Sequence, residues 1–370
     1  MARTVREMRP CCPQKVAVCI YVIIPAYNCQ NYLEDSVASV LAQTSINAQV
    51  VIVDDGSTDE TAHVIDSIAD GNEKIHILHK ENGGVSSARN KGIQYVLSIS
   101  RDCDYIAFLD ADDAWEKNFF DQGVLNIIDK GTDLIGFQSA VCNNELTMRA
   151  QTVTLAEGQF VGGNKSVWIH ATQHFGAMLY SCGFLKKYQI CFMENLRYSE
   201  DKIFSMQCMY LAHQIILKNK LLYLYRQNET SAISRRKFGM PYFVPIIDGY
   251  LASDLQMLKY QNPNRGKLNQ GHTIAKVYIM DMLEEHYQQF GHTEQVKELF
   301  ENKPLYKEIY GEGLKQKEKR YQEYHTRRNL FIIQNYMRGI QKLLVRQAMK
   351  IKFINRFRQA KLYNIEIVKL

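Results

Sequence analysis

Tyr105-Ile106-Ala107-Phe108-Leu109-Asp110-Ala111-Asp112-Asp113 is the stretch that decides how the rest of the chain is interpreted. Its apolar residues have the length of a strand buried in a sheet, and three carboxylates follow within four positions. Residues that follow such a strand emerge where open α/β sheets bind ligands. Like charges this close repel each other unless a cation lies among them, and oxygen ligands favour Mg2+ or Mn2+. The stretch therefore predicts a metal site, with a solvated acidic turn as the alternative.

Three further apolar runs precede it, at residues 16–24, 49–53 and 74–78. Each is followed by a helical pattern, and Ser57 and Glu60 have the spacing of a capping box at the start of the second helix. Strands that alternate with helices predict an α/β fold, with a mainly parallel sheet that helices cover on both faces. The carboxyl ends of its strands then meet at one edge.

Polar residues follow the strand ends in a pattern suited to a nucleoside diphosphate. A carboxylate can accept the imide N–H of uracil, glycines allow the backbone to approach a ligand closely, and a helix N-terminus favours negative charge. Neither a P-loop nor a dinucleotide fingerprint is present. The residues predicted to bind this nucleotide are Pro25, Ala26, Tyr27, Asn28, Asp54, Asp55, Asn82, Gly83, Arg89, Asp110 and Ala111.

Four motifs resemble the ordered signature of family-2 glycosyltransferases with the GT-A fold, a Rossmann-like α/β architecture. They are VIIPAYN at 22–28, VDDGSTD at 53–59, ENGGVSSARN at 81–90 and FLDADD at 108–113. The resemblance implies an inverting transferase that uses a nucleotide sugar, most often UDP-linked, and a divalent metal. By position, Asp54 or Asp55 would contact uracil, Arg89 would lie near the base or diphosphate, and Asp110 near the ribose. Asp112 would bind Mn2+ or Mg2+.

An inverting transfer also needs a base, because the acceptor hydroxyl loses its proton as it attacks the anomeric carbon. Residues 195–204 (NLRYSEDKIF) resemble the family's Glu-Asp motif at the start of an acceptor-side helix. We expect Asp201 to be the base and Glu200 to hold it or to contact the acceptor, and the two roles are exchangeable. The alternative is that both acids merely favour a helix N-terminus.

The resemblance extends to about residue 235. Arg226, Ser231 and Ser234 belong to its closing strand and the polar loop that follows, which either approaches the diphosphate or is a surface turn. We therefore predict a catalytic domain over 16–235 and a helical, basic region over 236–370. Residues 315–370 carry 15 Lys and Arg against 3 Asp and Glu. The amphipathic segment 330–358 is suited to an anionic membrane surface, to packing on the catalytic domain or to a homo-oligomer.

No apolar run has the length of a membrane span and the cysteines show no metal-ligand spacing, so we expect a cytoplasmic location, at the inner face of the cell membrane if residues 330–358 bind lipid. No nucleic-acid module accompanies the basic charge. The predicted function is sugar transfer from a nucleotide-sugar donor to a glycan or lipid-linked glycan acceptor in surface polysaccharide synthesis. A non-catalytic scaffold and a sugar nucleotidyltransferase are the alternatives.

Overall fold

The computed structural model describes residues 17–128, 131–147, 149–151, 157–162, 175–194, 196 and 199–227. The chain divides into two compact units, Met1–His272 and Thr273–Leu370, and every described residue belongs to the first. The predicted domain boundary at 235, the loop residues Ser231 and Ser234, and the basic segment 330–358 lie outside the described residues. Within the described part of the chain, no helix combines the length and apolarity that crossing a membrane requires.

Strands and helices alternate along the first third of the chain, as predicted. The strands are β1 (Cys19–Ala26), β2 (Asn47–Asp54), β3 (Ile75–His79), β4 (Tyr105–Phe108), β5 (Ala114–Trp115), β6 (Leu134–Cys142), β7 (Arg149–Gln151), β8 (Gly158–Phe160), β9 (Met178–Ser181) and β10 (Ile215–Arg226). The helices are α1 (Leu33–Leu41), α2 (Thr61–Ala69), α3 (Val85–Ile99), α4 (Gln122–Ile128), α5 (Cys182–Tyr188) and α6 (Glu200–Leu211).

The strands form one mixed sheet in the order β3-β2-β1-β4-β9-β6-β10-β5, with β7 beside β6 and β8 beside β10. β3, β2, β1 and β4 pair in parallel. β9 is antiparallel to both β4 and β6, and β10 is parallel to β6. Six of the eight strands on the main path therefore run in one direction, and the prediction of a mainly parallel α/β sheet is confirmed.

Helices cover both faces because β1 is apolar on both sides. Val22 and Ile24 belong to the same buried cluster as Leu33 of α1 and Ile65 of α2. Ile23 points the other way, where α3 packs so closely that a Cβ on Gly92 would lie 2.6 Å from the Ile23 side chain. Continuous apolar runs are typical of parallel strands buried on both faces.

The predicted capping box at Ser57 and Glu60 is wrong. α2 begins at Thr61, and its N-cap residue, Glu60, makes no capping hydrogen bond with its side chain; the Thr61 amide donates to Asp59 Oδ1 at 3.0 Å instead. The Ser57 hydroxyl instead accepts a hydrogen bond from the Asn28 amide at 3.2 Å, and the Ser57 amide donates to Asp54 Oδ1 at 3.0 Å. Ser57 therefore joins the loops after β1 and β2, because its hydroxyl already has a partner outside the helix.

Candidate active site

The loops after β1, β2, β3 and β4 meet at one edge of the sheet. We call this set the carboxyl edge: residues 25–28, 54–57, 80–84 and 110–113. Parallel register brings them together, since Ala26 is opposite Asp54 and Asp54 is opposite His79. Parallel strands carry their carboxyl ends to the same side, so this convergence follows from the topology.

Asp54 is buried and faces two partners. Its Oδ1 accepts from the Ser57 amide, and its Oδ2 lies 3.2 Å from His79 Nδ1. Burial alone would raise the pKa of Asp54, but the hydrogen bonds from Ser57 and His79 outweigh it and lower the pKa. Asp54 is therefore held as a carboxylate.

Asp55 organises the glycine loop after β3. Its Oδ1 accepts from the Lys80 ammonium and, at 3.0 Å, from the Gly83 amide, while its Oδ2 accepts from the Gly84 amide at 2.7 Å. A Cβ on Gly83 would lie 2.9 Å from Ser87 Oγ and 3.0 Å from Lys80 Nζ, so a side chain there would require Ser87 and Lys80 to move. Lys80 and His79 were not predicted from the sequence, although both directly follow an apolar run.

The loop after β1 contributes mainly backbone. Ala26 is buried and its carbonyl accepts from the Asp55 amide at 2.9 Å. Asn28 has a positive φ of 49°, and its Oδ1 accepts from the Thr58 amide at 2.8 Å. Tyr27 is 50% exposed, so its ring is available to a ligand at this edge.

Arg89 joins the carboxyl edge to α6. Its guanidinium is 3% exposed and donates to Asp110 Oδ1 at 2.7 Å and to Glu200 Oε1 at 3.1 Å. Burial alone would lower the pKa of Arg89, but the carboxylates of Asp110 and Glu200 raise it above the usual value. The group lies over the rings of Phe175 and Phe192, 5.1 and 5.3 Å from their centroids, and its buried Nε has no hydrogen-bond partner. Arg89 therefore remains charged and fixes the distance between two predicted functional carboxylates.

Glu200 and Asp201 open α6, as predicted. Burial, and then the charge of Asp201, raise the pKa of Glu200 to about 7, while Arg89 acts in the opposite direction. Asp201 is half-buried, and its Oδ1 accepts from the Lys202 amide at 2.8 Å. The start of α6 thus places two carboxylates with different surroundings next to each other. Arg89, which also binds Asp110, contacts the first of them.

The three carboxylates of residues 110–113 do not converge on one point. The side chain of Asp110 is 40% exposed, whereas Asp113 is fully buried. Asp113 Oδ2 accepts from the Tyr223 hydroxyl at 2.5 Å, and its Oδ1 accepts from the Arg226 amide at 2.7 Å. Burial, with Asp112 and Asp110 next, raises the pKa of Asp113 well above its usual range. Asp113 is therefore a buried structural residue, and its position in the sequence does not distinguish it from Asp110 and Asp112.

Arg226 is held by the interior rather than presented to a ligand. Its Nε donates to the Asp112 carbonyl at 2.8 Å, and its Nη2 donates to Asp35 Oδ2 at 2.9 Å. The group is 4% exposed and lies over the Tyr32 ring. Each nitrogen of its guanidinium contacts the protein, Nη1 through the Asn144 carbonyl, and an approach of Arg226 to a diphosphate stays a prediction.

Part of the negative charge of residues 110–113 is offset by the protein itself, and a metal ion among these carboxylates stays a prediction. Arg89 offsets the charge of Asp110, and Asp113 turns inward to Tyr223 and the Arg226 backbone. Among the described residues, no group of three or more potential ligand side chains forms a metal site by itself. Mg2+ and Mn2+ usually need only one or two protein carboxylates when substrate phosphates supply the remaining ligands. Asp112 and the exposed Asp110 fit that smaller role, while Asp113 does not.

The comparisons agree with this geometry. The model of glycosyl transferase family 2 matches residues 21–189. An uncharacterised Bacillus subtilis glycosyltransferase, EpsJ, is 26% identical over 64% of this chain and 67% of its own length. The putative teichuronic acid biosynthesis glycosyltransferase TuaG of the same species is 40% identical over 27% of this chain and 38% of its length. The Staphylococcus aureus TarS structure with UDP-GlcNAc covers 73% of this chain and 72% of that chain, with a TM-score of 0.55 and 19% identity.

The likeness to TarS shows the shared fold, and the family match together with the curated relatives shows the class of enzyme. Residues 21–189 are therefore a glycosyl transferase family 2 domain, and the fold is that of the GT-A glycosyltransferases.

Proposed function

We propose that this glycosyltransferase moves a sugar from a UDP-sugar to a hydroxyl of a glycan or lipid-linked glycan in surface polysaccharide synthesis, with inversion at the anomeric carbon. The observation that carries the proposal is the pair of contacts made by Arg89, to Asp110 at 2.7 Å and to Glu200 at 3.1 Å. These contacts support the proposal, because they link Asp110, which follows β4, to Glu200 at the start of α6. Binding and proton removal can then occur within one small site.

The donor end is the carboxyl edge. The solved TarS complexes contain UDP or UDP-GlcNAc, and chains 40% identical over 27% of this one include a chondroitin synthase and a hyaluronan synthase of Pasteurella multocida. Asp54 or Asp55 accepts the uracil imide N–H, and the exposed Tyr27 ring lies at the same edge. Asp110 faces the ribose, with Arg89 close to the donor.

Asp112, with Asp110 beside it, would hold a divalent cation, Mn2+ or Mg2+, together with phosphate oxygens of the donor. When bound, the cation offsets the negative charge that develops on the departing UDP. The protein's part is to present Asp112 on a fixed loop: the Ser36 hydroxyl donates to the carbonyls of Ala111 at 2.8 Å and Asp113 at 2.6 Å.

Asp201 is the proposed base. Its carboxylate takes the proton of the acceptor hydroxyl while that oxygen attacks the anomeric carbon, on the side opposite the leaving diphosphate. Glu200 is oriented toward the carboxyl edge by Arg89 and holds the local charge balance. If the roles are exchanged, Glu200 takes the proton, and its pKa of about 7 suits that task equally well.

The basic, amphipathic pattern of residues 330–358 supports one of two further roles. The basic segment 330–358 contacts an anionic membrane at the cytoplasmic face, where a lipid-linked acceptor lies. Alternatively, this segment holds two copies of the chain together. Co-sedimentation of the full chain with phosphatidylglycerol vesicles, compared with phosphatidylcholine vesicles, separates these roles, because only the first predicts preferential binding to the anionic lipid.

The function is tested with a panel of UDP-sugars. The full chain is incubated with Mn2+ and each donor, and UDP release is followed with and without a mixed glycan acceptor pool. We expect release from at least one UDP-sugar, and its loss in Asp201→Asn. Release from no UDP-sugar, by a chain that binds UDP, would contradict the proposed reaction, and equal release by Asp201→Asn would contradict the assignment of the base.

A further inference from the structure

Tyr223 of β10 contacts both ends of residues 110–113. Its hydroxyl donates to Asp113 Oδ2 at 2.5 Å and accepts from the Asp110 backbone amide at 3.3 Å. One hydroxyl therefore ties the first and the last residue of the loop, across 110 positions of sequence. The residues between these two contacts include Asp112, the proposed metal ligand.

The Tyr223 ring has little freedom to move. It is 6% exposed, and it packs against Gly176, where an added Cβ would lie 2.2 Å from the ring atom Cε2. Burial and the contact with Gly176 therefore restrict the position of the Tyr223 hydroxyl.

Asp113 transmits this constraint to the rest of the loop. Its other carboxylate oxygen accepts from the Arg226 amide at 2.7 Å, and its carbonyl accepts from Ser36 Oγ at 2.6 Å. Asp113 is fully buried, so it has no access to donor. Removal of a side chain that orients a metal ligand, without binding the metal itself, commonly lowers metal affinity by about 10- to 100-fold.

We propose that Tyr223 is a positioning residue for the metal-binding loop, which acts through Asp113 and the Asp110 amide to set the direction of Asp110 and Asp112. The inference rests on the proposed function, because it assigns Tyr223 to the metal-dependent binding of the nucleotide. It predicts that the hydroxyl matters for binding that requires Mn2+, beyond any contribution to folding.

The test compares Tyr223→Phe with Tyr105→Phe. Tyr105 lies on β4 at the end remote from residues 110–113, is 1% exposed, and donates its hydroxyl to the Thr132 carbonyl at 2.9 Å. Each substitution removes one hydrogen-bonded hydroxyl from a buried ring, so we expect both to lower the melting temperature. UDP binding is measured by calorimetry on the full chain with Mn2+ and again with EDTA, and melting temperatures are recorded for all three proteins.

We expect Tyr223→Phe to weaken Mn2+-dependent UDP binding by about tenfold or more. Tyr105→Phe should bind UDP as the wild type does, and UDP binding in EDTA should be the same in all three proteins. Tyr223→Phe with wild-type Mn2+-dependent binding would overturn the inference and leave the hydroxyl with a structural role only. A wild type whose UDP binding ignores Mn2+ would overturn the metal-dependent donor binding in the proposed function, and this inference with it.

Discussion

The carboxyl edge and the start of α6 meet at Arg89, but the chain builds them in different ways. The carboxyl edge consists of residues that directly follow β1, β2, β3 and β4, and its contacts join neighbouring loops. The start of α6 reaches the site through partners more than a hundred positions away: Arg89 binds Glu200, and Asn90 holds the Phe192 backbone at 2.9 Å. The difference indicates that donor binding is a local property of the sheet edge, whereas proton removal depends on one long-range connection.

Asp201→Asn is the sharpest way to separate the two regions. The amide cannot accept the acceptor proton, so we expect kcat to fall by roughly 10^2- to 10^4-fold. UDP affinity should be unchanged, since Asp201 lies outside the carboxyl edge. Steady-state kinetics and UDP calorimetry on the same preparation measure both quantities. A loss of UDP affinity comparable to the loss of kcat would show that the two regions are not separable.

Arg89→Lys breaks the connection itself. Lysine keeps the charge but cannot reach both carboxylates with a planar fork, so one charge-assisted hydrogen bond of about 1.5–3 kcal/mol is lost. We expect kcat/KM to fall by about 10- to 100-fold, in line with that energy. The measurement is kcat/KM for the UDP-sugar, with the melting temperature recorded in parallel.

Arg101→Lys is the matched control for this substitution. Arg101 makes two hydrogen bonds to a single carboxylate, with Nε 3.1 Å from Asp104 Oδ2 and Nη2 2.6 Å from Asp104 Oδ1, and it lies near the opposite end of β4. Its replacement should leave kcat/KM unchanged. Equal losses in the two variants would mean that Arg89 contributes to stability alone.

Lys80→Met weakens the carboxyl edge without touching α6. Asp55 loses its ammonium partner and keeps the Gly83 and Gly84 amides, so we expect UDP affinity to fall by about three- to tenfold, the equivalent of one ordinary hydrogen bond. Lys220→Met is the control, because Lys220 likewise donates to one carbonyl, of Phe119, and one carboxylate, of Asp121. Calorimetry that finds the same UDP affinity in both variants would remove Lys80 from the donor site.

Glu200→Gln should change how stability depends on pH. The folded protein raises the pKa of Glu200 from 4.5 to about 7, so folding favours the protonated form. The contribution is fully present below pH 4.5 and is lost as the pH rises through about 7. Relative to the wild type, Glu200→Gln should therefore gain melting temperature between pH 5 and pH 8.

Glu157→Gln is the control for this pH dependence. Glu157 is exposed, and hydrogen bonds from Lys218 and the Asn219 backbone lower its pKa, so its effect has the opposite sign and should be small. If the difference in melting temperature between wild type and Glu200→Gln stayed constant from pH 5 to pH 8, burial would not raise the pKa of Glu200 as described.

Much of the carboxyl edge could be predicted from the sequence because each motif directly follows an apolar run, and parallel strands bring such positions together. Asp54, Asp55, Gly83 and Asp110 lie at this edge for that reason, and Arg89 of α3 contacts the edge through Asp110. The start of α6 at Glu200 was also predicted, from the position of two acids before Ile203 and Phe204, which are buried.

The sequence could not separate the roles of residues 110–113. Asp110, Asp112 and Asp113 are the same residue type, and only the partners from β10, more than a hundred positions later, show that Asp113 faces inward. Tyr223 and Lys80 were missed for a related reason: a tyrosine in an apolar strand and a lysine after a strand have no distinctive pattern. Their roles depend on contacts with Asp113 and Asp55, which lie far away in the sequence.

The most direct test of the account is calorimetric titration of UDP into wild type and Asp112→Ala, each with and without Mn2+. Asp102→Ala is the control, because that side chain is 64% exposed and forms an ion pair with Lys186 at 3.3 Å. We expect Mn2+ to tighten UDP binding to the wild type and to Asp102→Ala, and not to Asp112→Ala. A folded Asp112→Ala protein that still binds UDP more tightly with Mn2+ would contradict this expectation.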